Sequence, residues 1–183
     1  MITRSKPEKI ARILLSGLLI VGIASCDRKI SQCNQLANVI NQSKSFKAEF
    51  EGEIQSAMAQ ASSAQNLEDL QTFAGDYTAA VEKVVGEING MSETLADLTI
   101  ADEQLDDYRD SYVTVITDSK NALTDASDAM QLIATVESED EFRTVFDTFQ
   151  TQANSAFNDL QSLSATESTL ITQINDYCGA QPE

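Results

Sequence analysis

From Leu67 to Leu98, apolar residues return in alternating steps of three and four: Leu67, Leu70, Ala74, Tyr77, Val81, Val84, Ile88, Met91, Leu95 and Leu98. A strand repeats every two residues, so only a helix keeps all ten on one stripe. Nothing nearby breaks such a helix, because residues 8–181 contain no proline. A helix with one apolar seam must bury it against others of its kind. The rest of the chain supplies them.

A first helix is expected from about Lys29 to Ala64, carrying Ile30, Leu36, Val39, Ile40, Phe46, Phe50, Ile54, Ala57, Met58 and Ala61. Its pattern is the least regular of the set, and Gly52 interrupts it. Asn66 suits the N-cap of the second helix. Gly75, Gly86 and Gly90 fall off the second seam; the latter two mark a bend, a close contact or a plain imperfection. Thr99 or Asp102 caps a third helix, whose seam runs Leu105, Tyr108, Tyr112, Val115, Ser119, Ala122, Ala126, Ala129, Ile133 and Val136. Ile116, Leu123 and Met130 broaden it.

Ser138 caps a fourth helix, with Glu141 completing a capping box. Phe142, Phe146, Phe149, Ala153, Ala156, Leu160 and Leu163 open its seam, Leu170, Ile174 and Tyr177 close it, and Gly179 ends the helix. Between the two groups the step lands on Glu167. An unpaired carboxylate in a core is costly, so Glu167 is expected to bend out to solvent; a buried functional carboxylate is the sharper alternative.

The fold expected is therefore all-α: an antiparallel up-down-up-down four-helix bundle with long helices, about 50 Å each at ~1.5 Å per residue. Counting from Ser138 sets Ala122 and Ala126 level with Ala153 and Ala156, where the last two helices should approach closely or leave a ligand cavity.

Ahead of the bundle, Arg4, Lys6, Lys9 and Arg12 precede an apolar run from Ile13 to Ser25. That run is too short to span a bilayer but suits the core of an export signal. It ends Ile23-Ala24-Ser25-Cys26, which resembles the lipobox of bacterial prolipoproteins. The resemblance covers residues 1–26 only. It implies cleavage before Cys26, acylation of that cysteine, and an exported protein held on a membrane by lipid. An ordinary signal peptide or an uncleaved anchor are the competing readings. Asp27 resembles the inner-membrane retention signal of some diderm bacteria. The expected divisions are a signal peptide (1–25), a lipidated tether (26–28), the bundle (29–178) and a C-terminal tail (179–183).

The whole chain of 183 residues has 12 basic and 29 acidic side chains, a formal charge of −17. Removing the leader leaves eight basic and 28 acidic residues, a formal −20. Such a body repels nucleic acid and anionic headgroups alike, with Arg28 and Lys29 steadying it beside the anchor.

With Cys26 lipidated, Cys33 and Cys178 remain. The bundle topology puts both at one pole, and exported compartments permit disulfides, so these two are expected to pair; two separate buried thiols are the alternative.

Groups that could carry chemistry are few. The chain has no histidine, which removes the usual di-iron and zinc ligand sets, so no metal site and no cofactor is expected. Asp118, Asn121, Asp125 and Asp128 lack calcium-loop spacing and fit a solvated acidic face. Tyr77, Tyr108, Tyr112 and Tyr177 all fall on seams and read as core. No nucleophile motif or phosphate loop occurs, and no catalytic residue is assigned. The expectation is a non-enzymatic, membrane-tethered interaction or structural module with an envelope protein partner; a ligand- or cation-binding lipoprotein is the alternative.

Overall fold

The computed structural model describes residues 23–179. The leader through Gly22 and the tail from Ala180, with Pro182, lie outside the described residues. So do the side chains of residues 23–27, Cys26 included, and of Phe46, Ala57, Met58, Gln60 and Ala61. Four helices account for nearly all of the described chain: α1 (Ile23–Ser62), α2 (Leu67–Ala96), α3 (Glu103–Ala134) and α4 (Glu139–Cys178). Each packs on the next, and the last returns to the first. The molecule is an all-α bundle. The tether expected at 26–28 falls inside α1, which is already helical at Ile23.

Local chemistry sets the boundaries. Asn66 Oδ1 accepts from the Asp69 amide at 3.0 Å, and the Asp69 carboxylate accepts in return from the Gln65 amide at 2.8 Å. Asp102, rather than Thr99, caps α3, its Oδ1 accepting from the Leu105 amide at 3.1 Å. Ser138 Oγ accepts from the Glu141 amide at 3.2 Å, while the Glu141 carboxylate reaches back to the Glu137 amide at 2.7 Å. Each cap gives a partner to donors that a helix start otherwise leaves open. Gly179 stops α4 at φ +70°, a left-handed conformation that glycine adopts without a Cβ clash.

The core is unevenly distributed along the rod. Near the cysteines it draws on all four helices: Leu36 and Ile40 from α1, Ile88 and Leu95 from α2, Leu105 and Tyr112 from α3, Leu170 and Ile174 from α4. Toward the other pole Ile133 and Val136 are buried among smaller side chains, with Ala74, Ala126, Ala129 and Ala156 prominent. Ala122, Ala126 and Ala156 are buried and Ala153 half-buried along the α3–α4 contact, the most extensive in the molecule. Small side chains let those two helix axes draw together. Among the described side chains, α1 buries none beyond Ser43, although Phe50 still packs on the core.

The first half of α4 departs from the sequence expectation. Phe142 and Phe149 are only half-buried, and Phe146 is 39% exposed. Their spacing is that of a seam, but the core cluster takes in none of them. Periodicity shows that residues share a face; it does not show that the face is covered.

Gly86 and Gly90 are exposed and mark no close contact: a Cβ built on either meets nothing within 4 Å. Alanine there restricts the unfolded chain without cost to the fold. Gly86→Ala and Gly90→Ala should each raise unfolding free energy by about 0.5–1 kcal/mol, read as a higher urea midpoint at unchanged slope.

Candidate functional site

Two polar assemblies interrupt the apolar interior. The first lies within the core. Glu167 is buried, 6% exposed, which overturns its expected place in solvent. Its Oε1 accepts from the Tyr112 hydroxyl at 2.8 Å, and its Oε2 is ion-paired with Lys47 of α1. Ser43 Oγ lies 3.3 Å from the Tyr112 hydroxyl and donates to the Ile40 carbonyl at 2.7 Å. The two partners offset the cost that burying a carboxylate without them would carry.

The seams explain the meeting. On α1, Cys33, Leu36, Ile40, Ser43, Lys47, Phe50 and Ile54 follow alternating steps of three and four. Ser43 and Lys47 thus occupy seam positions, about two and three helical turns beyond Leu36. Tyr112 and Glu167 occupy seam positions on α3 and α4. Ser43, Tyr112 and Glu167 are buried at this level, Lys47 reaches them from the half-exposed edge of its seam, and the heads meet. Sequence reasoning missed Ser43 and Lys47 because it followed apolar residues alone. A polar residue on each of three seams, counted from a common pole, is the signal that could have found them.

Chemically, this cluster is committed to its own partners. The Ser43 proton goes to a backbone carbonyl, so no base holds that hydroxyl as a nucleophile. Burial pushes the Tyr112 phenol above its ordinary value of 10.0, and the Glu167 charge pushes the same way, while Ser43 opposes. Burial also raises Tyr77, and Tyr177 is raised by its hydrogen bond to Asp102. The unfolded chain therefore loses phenolic protons first as pH rises. Stability should fall from about pH 10 upward until the native phenols ionise too. Tyr112→Phe should flatten part of that fall, as urea unfolding at pH 8 to 11 would show.

The second assembly ties the cysteine pole. Cys33 and Cys178 lie at disulfide-bonding distance with Cα atoms 5.9 Å apart, inside the usual range for a bridge. Around them the buried Gln32 Oε1 accepts from the Asp102 amide at 3.2 Å, and the Tyr177 hydroxyl donates to Asp102 at 2.9 Å. Tyr108 meets Tyr177 edge to face with centroids 5.8 Å apart, and Lys29 Nζ sits 3.5 Å from the Tyr177 ring centre. Asp102 thus caps α3 and receives the end of α4 at once. Tyr112 alone of the four tyrosines is fully in the core; Tyr77, Tyr108 and Tyr177 are half-buried.

On the outside, Lys83 of α2 pairs with Glu49 and Glu53 of α1, which raise its pKa. An open groove of about 450 Å³ runs between the same helices, with Gln42, Ser45, Glu87, Met91 and Thr94 around the bare backbone of Gly86 and Gly90. Asp118, Asn121, Asp125 and Asp128 are all exposed on α3. Among the described residues, no three His, Cys, Asp or Glu side chains are grouped to hold a metal ion. No helix among them is long and apolar enough to cross a membrane.

No protein-family model, curated protein or solved structure matches this chain.

Proposed function

We propose that the protein is a lipid-tethered, non-enzymatic helical bundle that serves as an interaction or structural module at a bacterial cell envelope. The observation that carries this reading is the segment Ile23-Ala24-Ser25-Cys26, its cysteine seven residues before Cys33 at the pole where α4 also ends. Cleavage before Cys26 would leave the acylated residue in the first turn of α1, so lipid and rod would share one helix without a flexible linker. Arg28 and Lys29 lie beside the anchor, where positive charge would steady an acidic body at the membrane surface. Two or more acyl chains would make the attachment stable. The opposite pole would stand about 50–60 Å away, given ~1.5 Å per helical residue.

The test is crosslinking in intact cells, followed by purification of the protein under denaturing conditions. A recurrent protein partner at the envelope is expected. Turnover of an envelope substrate by the pure protein, abolished by one carboxylate substitution, would contradict the reading.

The groove between α1 and α2 favours a second reading, a ligand-binding lipoprotein. That reading expects a small molecule to co-purify, and Gly90→Leu to displace it without lowering the melting temperature of the ligand-free protein.

A further inference from the structure

We infer that the first half of α4 is the docking face of this module, and that its occupant is a cationic amphipathic helix of a protein partner. The inference rests on the interaction reading above and assigns the surface and the chemistry that reading leaves open.

The face carries a cluster of three aromatic rings and a fourth further along the same side. Phe142 and Phe146 have ring centroids 5.4 Å apart, and Phe146 and Phe149 6.0 Å. Phe157, 65% exposed, follows Phe146 by eleven residues, three helical turns along the same side. From Phe142 to Phe157 the stripe runs about 22 Å at ~1.5 Å per residue, a length suited to four turns of a packed helix. Solvating phenylalanine is unfavourable, and rings of this kind dominate the energetics of protein interfaces.

Charge selects the occupant. Residues 62–78 and 117–157, which surround this stripe, carry eleven carboxylates and two basic side chains, Lys120 and Arg143. The Arg143 guanidinium already lies 3.7 Å from Asp140, and the Lys120 ammonium donates to Asn89 at 3.4 Å. A second copy of the chain would bring the same carboxylates face to face, and an anionic bilayer would repel them. A helix with lysine or arginine flanking an apolar stripe satisfies both the rings and the field around them. The polarity of the rod agrees, since six of the eight bases beyond the leader lie outside this stretch, which keeps only Lys120 and Arg143.

The probe is a fluorescent 20-residue leucine–lysine peptide with one apolar helical face. Its control has the same composition permuted so that no apolar face forms. Both are titrated by anisotropy against the native lipoprotein in phosphatidylcholine nanodiscs, with empty nanodiscs as the blank. The amphipathic peptide should bind at least tenfold tighter than its control. The double variant Phe146→Ser with Phe157→Ser should weaken it by at least tenfold while melting at the wild-type temperature. Equal binding by wild type and variant would overturn the proposal, because charge alone would then explain the affinity. Self-association of the wild type, or capture of anionic vesicles, either one abolished by the same substitutions, would also overturn it by naming a different occupant. A cellular crosslink to a partner at another face would contradict this surface while leaving the interaction reading in place.

Discussion

Reduction of the Cys33–Cys178 pair is expected to lower the unfolding free energy by about 4–5 kcal/mol. The two residues are 145 apart in sequence, so a bridge closes nearly the whole bundle. In the chain-entropy view a loop of this size removes about 5 kcal/mol of freedom from the unfolded state. The effect should not be muted by redundancy, because α1 approaches α4 at few points along its length. For a domain of this size, each kcal/mol moves the melting temperature by about 2–4 °C, so a drop of roughly 10–15 °C is expected. Thermal unfolding with and without reductant measures it. Cys33→Ser and Cys178→Ser should each reproduce the reduced value, and reductant should then have no further effect. A melting temperature indifferent to reductant would show that the thiols are not bridged.

The second large effect concerns the buried carboxylate, and it is asymmetric. Lys47→Met leaves Glu167 in the core with only the Tyr112 hydroxyl as partner. Stranding a buried charge typically costs about 3–5 kcal/mol. Lys47 is itself half-exposed, so water can reach part of the site, and about 2–3 kcal/mol is the expected loss. Glu167→Leu removes the charge together with its need for a partner and supplies the apolar residue its seam position calls for. That change should stay within about 1 kcal/mol of wild type in either direction, because Tyr112 keeps Ser43 nearby. Urea unfolding of both variants tests the contrast. Equal losses would mean that the pair as a whole, rather than the stranded charge, sets the energy.

The bundle itself was legible because its signals are local or periodic. Asn66, Asp102, Ser138 and Gly179 cap or stop helices through their own side chains or backbone freedom, and each does so where its residue type suggested. The meeting of Cys33 and Cys178 followed from topology, since an even number of antiparallel helices returns the chain to its starting pole. Glu167 was not legible from α4 alone. Whether a seam carboxylate turns out or stays in depends on what the other helices offer at that level, and here Lys47 and Tyr112 offer a cation and a donor. Phe142, Phe146 and Phe149 failed in the opposite sense. Their spacing promised a core, yet burial requires a neighbour, and the end of the rod they occupy is lined with alanines and only partly covers them.

At the centre stands the proposal that Cys26 carries lipid while Cys33 and Cys178 hold the folded body closed. Intact mass of the protein from its native host, taken before and after reduction and alkylation, tests it most directly. The expected mass equals residues 26–183 plus acyl chains, with two alkylatable thiols revealed only on reduction. A lipid-free, full-length mass with thiols free from the start would contradict it.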